Sequence, residues 1–331
     1  MRVSLEQAIA ELKQGGVVAI PTETVYGLAA DATNDSALKK IFALKQRPAD
    51  HPLIVHIGDV SQVMDWAACF PDVAIELAMA FWPGPLTLVL PAQPHVSRVV
   101  RGDESTVALR IPNHPVALAL LTKSGLSVAA PSANLFTQLS PTTATHVEAG
   151  LGERIPVLDG GACQVGIEST IVSVTTDGQW QLLRPGVISK EAIADVVATS
   201  ADYQSVAALD VAVNVDAVAQ QSSPKVPGQH ALHYSPRTPL LLFKNKSALM
   251  QEIELLQVAG LTCAAMFIGE GAVPSCQYVS LPNAPDKVAE MLYSTLHDLD
   301  ALKVDRLLVE LPPISPAWIA VIDRLSRAGY R

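Results

Sequence analysis

Short apolar segments recur along the first 190 residues, and several of them end directly in polar residues. Each segment is about five to seven residues long, the length of a buried strand rather than of a helix. Segments with helical periodicity separate several of them, notably 114–125 and 142–152. This mixture predicts an α/β domain with a twisted mixed sheet rather than a strictly alternating parallel one. The strand candidates are VVAIP (17–21), PLIVHI (52–57), PLTLVL (85–90), TVALRIP (106–112), LSVAAP (126–131), IPVLD (155–159), STIVSV (169–174) and QLLRP (181–185).

The pattern loosens after residue 197 and becomes regular again near residue 239. Three further strand candidates, LLLF (240–243), CAAMFI (263–268) and RLLVEL (306–311), alternate with helical stretches at 247–259, 285–302 and 316–328. That alternation is typical of a small doubly wound domain. For a chain of 331 residues we therefore predict a first domain over 1–197, a linker over 198–238 and a second domain over 239–331.

Composition disfavours two classes of partner. The chain has a net charge of −9, and its first 190 residues hold 13 Lys and Arg against 17 Asp and Glu. Binding to a phosphate backbone usually requires the opposite balance, so we expect no stable nucleic-acid binding. No stretch approaches the roughly 20 apolar residues of a membrane span. The four cysteines are scattered without a CxxC pair, which indicates free thiols in a reducing cytoplasm.

The common nucleotide-binding and hydrolase motifs are absent from the sequence. There is no GxxxxGK[ST] loop, no HExxH and no GxSxG elbow. Gly269 and Gly271 follow a predicted strand, but Pro274 stands where a third glycine of a dinucleotide fingerprint would be, so we expect a plain turn there. If the protein binds a nucleotide, it does so without a standard phosphate loop.

Two arginines lie in otherwise apolar strands and need a partner. A buried guanidinium that finds no anion or carbonyl is very costly, so Arg110 and Arg184 predict a polar site. Lys45 and Arg47 close a predicted helix just before Pro48, where, taken alone, opposing the helix dipole explains them better than ligand binding does. Together the four residues favour a pocket for a small phosphorylated or carboxylated ligand.

Other polar residues follow the predicted strands, and each also has a purely structural explanation. His56, in the PLIVHI strand, could be a core histidine, and the thiol of Cys163 is more consistent with a structural role than with a nucleophile. Turn or cap roles would account for Ser132, Asn134 and Ser140.

The same segments, in this order, resemble the YrdC-type threonylcarbamoyl-AMP synthase family. Residues 227–239, PGQHALHYSPRTP, resemble the longer two-domain form, in which a linker covers the active site and leads into a Rossmann-like domain. The resemblance over the first 190 residues or so is carried by PTETVYGLAADA (21–32), KQRPADHPLIVHI (45–57), WPGPLTLVL (82–90), TVALRIPNHP (106–115), APSANLFTQLSPT (130–142), LDGGACQVGIESTIV (158–172) and LLRPG (182–186).

This resemblance implies that L-threonine, bicarbonate and ATP react to give threonylcarbamoyl-AMP and pyrophosphate. A tRNA threonylcarbamoyl transferase complex would then receive the product and modify tRNAs that read codons beginning with A. Mg²⁺ would be held through the phosphates and waters, and no organic cofactor is implied. The implied catalytic residues are Lys45, Arg47, Ser132 and Asn134; the ATP-binding residues are Lys45, Thr106, Ser132, Ser140, Arg184, His233 and Tyr234; the threonine-binding residues are Thr22, His56, Arg110, Ala130 and Ser169.

Three alternatives stay open at this point. A double-stranded RNA-binding module would show a concentrated basic face. A relative that uses carbamoyl phosphate would usually carry extra zinc-finger or acylphosphatase-like domains, for which this chain has neither CxxC pairs nor room. A regulatory relative would have lost activity, against which the intact K-x-R and S-x-N segments argue.

Overall fold

The computed structural model describes residues 1–199, 224–228, 233–271 and 273–329. Much of the predicted linker, 200–223 and 229–232, lies outside the described residues. The strands are β1 (Arg2–Val3), β2 (Val18–Ile20), β3 (Gly27–Asp31), β4 (Ile54–His56), β5 (Leu86–Pro91), β6 (Thr106–Arg110), β7 (Val128–Ala129), β8 (Val157–Leu158), β9 (Thr170–Val174), β10 (Trp180–Arg184), β11 (Leu240–Phe243), β12 (Cys263–Ile268), β13 (Gln277–Leu281) and β14 (Arg306–Glu310).

Helices flank the strands, and their ends follow ordinary capping chemistry. The first begins after Ser4, whose hydroxyl accepts from the Gln7 main chain while the Gln7 side chain accepts from the Ser4 main chain. Two short 3₁₀ helices cover Val60–Gln62 and Pro316–Trp318. The α-helices are α1 (Leu5–Lys13), α2 (Asp35–Lys45), α3 (Val63–Trp66), α4 (Asp72–Phe81), α5 (Arg98–Arg101), α6 (Pro115–Ser124), α7 (Ala144–Leu151), α8 (Lys190–Ala198), α9 (Lys246–Val258), α10 (Pro285–Ala301) and α11 (Ile319–Ala328).

The first ten strands form one mixed sheet in the order β1-β8-β2-β3-β7-β4-β6-β5-β9-β10. Parallel pairs such as β4 with β6 alternate with antiparallel pairs such as β5 with β6. The predicted mixed-sheet α/β class is therefore confirmed. Strand β3 was not predicted, because its sequence GLAAD has little strand propensity; it becomes a strand by pairing on both sides, with β2 and β7.

The two faces of this sheet are covered differently. One face packs against α2 and α4 in the largest apolar core. On the other face α1 and α6 cover the strands around β2 and β7. Over the neighbouring strands, the small apolar cluster of Ile54, Val89, Ala108 and Ile171 is instead covered by Val226 of the segment 224–228.

The last four strands form a parallel sheet in the order β11-β14-β12-β13. Alternate residues of β12 point to opposite faces: Ala265 and Phe267 pack with α9, whereas Ala264 and Met266 pack with α10 and α11. Helices on both faces confirm the predicted doubly wound arrangement. The edge strand β13 was missed, since most of its side chains are exposed and it has no apolar run. Within the described ranges, no helix combines the length and apolar character needed to cross a membrane.

Candidate active site

The ends of six strands converge on one pocket of the large sheet. Its walls come from the segment after β2, the C-terminal ends of β4, β6 and β10, the segment after β7 and the residue before β9. Its cover comes from 227–228 and 233–234. Ten of the predicted site residues line it: Thr22, Arg47, His56, Arg110, Ala130, Ser132, Ser169, Arg184, His233 and Tyr234.

Arg110 lies deep in this pocket and is only 4% exposed. Its Nη2 forms an ion pair with Glu23 Oε1 at 2.7 Å, its Nη1 donates to Thr24 Oγ1 at 2.9 Å, and its Nε donates to the main-chain oxygen of Gly84. A carboxylate, a hydroxyl and a carbonyl thus fix the guanidinium in place. Such a fork is suited to receiving a ligand carboxylate.

Arg184 also lines the pocket and lies beside Ser169. Its Nη2 donates to Ser169 Oγ at 3.1 Å and its Nε to the Ser169 main-chain oxygen at 3.0 Å. Its Nη1 donates to the oxygen of Pro227 at 3.0 Å, so the covering segment is bonded directly to a pocket cation. Gly228 permits this approach, because a Cβ there would lie 2.2 Å from the Tyr234 hydroxyl.

His56, which pairs with Arg110 in the β4–β6 ladder, is buried in the same pocket and has no hydrogen-bond partner at Nδ1. Burial, followed by the charge of Arg110, lowers its pKa to about 3. Burial also lowers the pKa of His233 to about 3, against the raising effect of the Glu168 charge. Both imidazoles are therefore neutral at ordinary pH, and Nδ1 of His56 is available to a substrate as an acceptor or a donor according to its tautomer.

Lys45, Asn134 and Ser140 lie next to the pocket but face other partners. The Lys45 ammonium donates to the main-chain oxygens of Ser132 and Asn134, and burial followed by the charge of Arg47 lowers its pKa. Asn134 Nδ2 donates to the main-chain oxygens of Leu135 and Gln138. Ser140 Oγ donates to Glu168 Oε1 at 2.5 Å. In this arrangement the three side chains hold the loop and wall of the pocket.

Thr106 is not brought into the pocket. It begins β6 and pairs with Pro91, whereas Arg110 ends the same strand. A separation of four residues along a strand corresponds to roughly 13 Å. Thr106 and Arg110 share one sheet face by the period of two, but Ala108 lies between them and is covered by Val226.

Several residues of the pocket and its wall were not assigned a role from the sequence. Thr24 and Glu168 line the pocket, and each lies one or two residues from a predicted site residue. Arg324 and Tyr293 reach the pocket wall from the second domain through Glu168. The sequence carried one signal for Arg324: it sits on the apolar stripe of α11 with Ala320, Val321, Leu325 and Ala328.

The donors of the pocket suit anionic ligands. Three guanidinium groups line it, and guanidinium binds phosphate and carboxylate oxygens. Among the residues that the structure describes, no group of three or more His, Cys, Asp or Glu side chains could hold a metal ion. The thiol of Cys163 is buried, and burial, then the charge of Glu23, raises its pKa to about 12, which disfavours a nucleophilic thiolate.

Comparisons with known proteins agree over almost the whole chain. The Sua5_yciO_yrdC family model, described as telomere recombination, matches residues 10–186, and that of the threonylcarbamoyl-AMP synthase C-terminal domain matches residues 188–329. The threonylcarbamoyl-AMP synthase of Bacillus subtilis is 41% identical over 98% of this chain and 92% of its own length. The Pyrococcus abyssi enzyme is 36% identical over 97% of this chain and 92% of its own length.

A solved structure is similar to the same extent. The crystal structure of P. abyssi Sua5 complexed with L-threonine has a TM-score of 0.85 and 34% identity, and the match covers 99% of this chain and 96% of that one. Fold, pocket and full-length similarity together lead to one conclusion: this chain belongs to the threonylcarbamoyl-AMP synthase family, in its two-domain form.

Proposed function

We propose that the pocket binds L-threonine and ATP and joins them with bicarbonate into threonylcarbamoyl-AMP, releasing pyrophosphate. One observation carries this proposal: Arg47, Arg110 and Arg184 converge with the neutral His56 in a single buried pocket of a net-acidic chain. Three fixed cations suit a carboxylate and a polyphosphate together. A long polyanion would need an exposed basic surface instead.

The proposed reaction has two steps and needs no protein nucleophile. The threonine amine attacks the carbon of bicarbonate and water leaves, which gives a carbamate. A carbamate oxygen then attacks the α-phosphorus of ATP, and the bond from that phosphorus to the bridging oxygen breaks as pyrophosphate departs. Positioning and charge neutralisation supply the catalysis.

Each pocket group has a role in that scheme. Arg110 takes the threonine carboxylate, with Thr22, His56 and Ser169 around the rest of the amino acid. Arg47 and Arg184 take the phosphates. Lys45 acts by holding the Ser132 and Asn134 carbonyls, so that this loop keeps its shape. Mg²⁺ would be carried on the phosphates and neutralise part of their charge.

The test is pyrophosphate release from ATP with Mg²⁺ and bicarbonate, with and without L-threonine, together with mass spectrometry of the product. We expect threonine-dependent release and a product with the mass of threonylcarbamoyl-AMP. Arg110→Ala should raise KM for threonine at least tenfold. Arg98→Ala is the matched control, since Arg98 pairs with Asp103 at the surface. If folded protein released pyrophosphate at the same rate with and without L-threonine, the proposal would be refuted.

We further propose that the product passes, in the cytoplasm, to a tRNA threonylcarbamoyl transferase complex. An acyl adenylate is a mixed anhydride that water hydrolyses. Efficient transfer of its acyl group therefore requires a nearby acceptor that reacts before water does. The test is transfer of label from threonine to tRNA when this protein and such a complex are combined. Omission of either component should abolish labelling, and labelling without this protein would refute the proposal.

A further inference from the structure

The Glu168 carboxylate lies in the pocket wall, yet most of its hydrogen-bond donors come from the second domain. Tyr293 Oη donates to Oε2 at 3.1 Å and Arg324 Nε donates to the same oxygen at 2.7 Å. The first domain contributes Ser140 Oγ to Oε1. Burial alone would raise the pKa of Glu168, but the charges of Arg324 and Arg184 and the Ser140 hydrogen bond outweigh it and lower the pKa. The carboxylate is therefore an ionised bridge between the domains.

Arg324 is completely buried, and all three of its nitrogens are paired. Besides its bond to the Glu168 carboxylate, Nη2 donates to the Glu168 main-chain oxygen at 3.2 Å and Nη1 to that of Pro185 at 3.0 Å. Asp323 Oδ2 accepts from Nη1 at 2.6 Å. Burying a guanidinium with this many partners specifies geometry, because each partner fixes one direction of the planar fork.

The two carbonyls that Arg324 holds lie at the two ends of one hairpin. Glu168 precedes β9 and Pro185 follows β10, and β9 and β10 pair antiparallel. The same hairpin ends present Ser169 and Arg184 to the pocket. A single side chain of the second domain thus clamps the open end of the hairpin that supplies two pocket groups.

Arg324 also contacts the segment that covers the pocket. Its guanidinium carbon lies 5.3 Å from the centroid of the Tyr234 ring, within the range of a cation–π contact. Tyr293 approaches the same ring, with centroids 5.9 Å apart. One guanidinium therefore contacts both the wall and the cover of the pocket.

We propose that Arg324 is a positioning residue, through which the second domain sets the geometry of Ser169 and Arg184 and retains Tyr234 over the pocket. This inference rests on the function proposed above. It assigns to the second domain a direct part in shaping the site for both substrates, in addition to packing against the first.

The experiment compares Arg324→Lys with the unmodified protein. Lysine keeps the positive charge but lacks the planar guanidinium that donates in several fixed directions. We expect KM for threonine and for ATP to rise about tenfold each, because Ser169 and Arg184 lose their common support. Arg306→Gln, in the same domain but directed at the Asp305 main chain, is the matched control and should leave both unchanged. Values for Arg324→Lys within twofold of the unmodified protein would overturn the proposal.

A second readout does not depend on activity. The Thr170 amide donates to Pro85 and the Ile188 amide to Thr170 Oγ1, and both lie beside the clamped ends of the hairpin. Hydrogen exchange at these two amides should accelerate in Arg324→Lys and in the milder Tyr293→Phe, and not in Arg306→Gln. Unchanged exchange in a folded Arg324→Lys protein would contradict positioning even if the proposed reaction failed in the unmodified protein.

A double-mutant cycle separates positioning from general destabilisation. If Arg324 acts through Glu168, the losses in kcat/KM caused by Arg324→Lys and Glu168→Gln should not add when the two changes are combined. Tyr293→Phe removes one hydroxyl and serves where a harsher variant fails to fold. Strict additivity would mean that the two residues act independently, and would overturn the proposal.

Discussion

Buried cations of the pocket are stabilised by different partners, and those partners decide what each can do. Arg110 has a carboxylate and Arg184 has carbonyls and a hydroxyl, whereas Lys45, next to the pocket, has two carbonyls. Burial lowers the pKa of Arg47 to about 10, against the raising effect of Tyr234 and with the help of the Arg184 charge. Arg47 stays charged at neutral pH, so the pocket remains cationic.

Buried neutral histidines make stability depend on pH. The pKa of His56 lies at about 3 in the folded protein, below the ordinary value of roughly 6.5. Between these values the unfolded chain takes up a proton that the folded chain does not. The free energy of unfolding therefore falls as pH falls from about 6.5 towards about 3.

His56→Gln should reduce this dependence. From pH 7 to pH 5 one such histidine lowers the free energy of unfolding by about 2 kcal/mol. The free energy of unfolding of the variant should therefore fall by about 2 kcal/mol less over this pH range than that of the unmodified protein. Urea unfolding at both pH values measures the difference. His95→Gln, at an exposed histidine, is the control and should keep the original loss. An unchanged pH dependence in His56→Gln would refute the argument.

Helix α2 shows how an element delivers side chains to the site. It begins after Asn34, whose Oδ1 accepts from the amides of Ser36 and Ala37 at 3.0 and 3.1 Å. It ends at Lys45, followed by Gln46 in the left-handed region with φ 52°. That turn sends the chain back so that both Lys45 and Arg47 face the pocket loop.

Asn34→Ala should destabilise the protein without changing its chemistry. Loss of a helix cap costs about 1 kcal/mol, because two amides of the first turn lose their acceptor. Urea unfolding measures the loss, and kcat should stay within twofold because the helix end that bears Lys45 is distant from the cap. Asn34→Asp keeps the acceptor and should retain the original stability. A large fall in kcat in Asn34→Ala would contradict this separation.

At the scale of the whole molecule, one of the apolar clusters contains residues of both domains. Ile167, Val25 and Leu139 of the first domain are buried in the cluster formed by β12, α10 and α11. Gly166 comes so close to α10 that a Cβ would lie 2.3 Å from the Glu290 main-chain oxygen. With φ at 78°, this backbone position also favours glycine. We therefore expect the domains to unfold together.

Ile167→Ala tests that shared core. The side chain is fully buried, so truncation should lower the free energy of unfolding by about 2–5 kcal/mol through lost burial and a cavity. Ile314→Ala, at a 97% exposed position, should change it by less than about 0.5 kcal/mol. Calorimetry should show one transition in the unmodified protein. Two separate transitions there would show that the domains unfold independently.

Local pattern was sufficient for most elements and for the list of polar candidates. Apolar runs of strand length and helical periodicity depend only on neighbours in the chain, so α6, α9 and β12 could be placed before any tertiary contact was considered. The arginines in apolar strands could likewise be recognised, because burial of an unpaired charge is costly wherever it occurs. Strands β3 and β13 could not, since pairing rather than composition makes them strands.

Tertiary structure alone decided which candidates meet and what they hold. Thr106 and Arg110 share a strand, but they lie roughly 13 Å apart along it, and Val226 of the segment 224–228 covers Ala108 between them. Arg324 lies 156 residues from Glu168, and no local rule links a guanidinium on one helix to a carboxylate before a distant strand. Such contacts form because burying each charge requires a partner, and the packing of the two domains determines which partner is within reach.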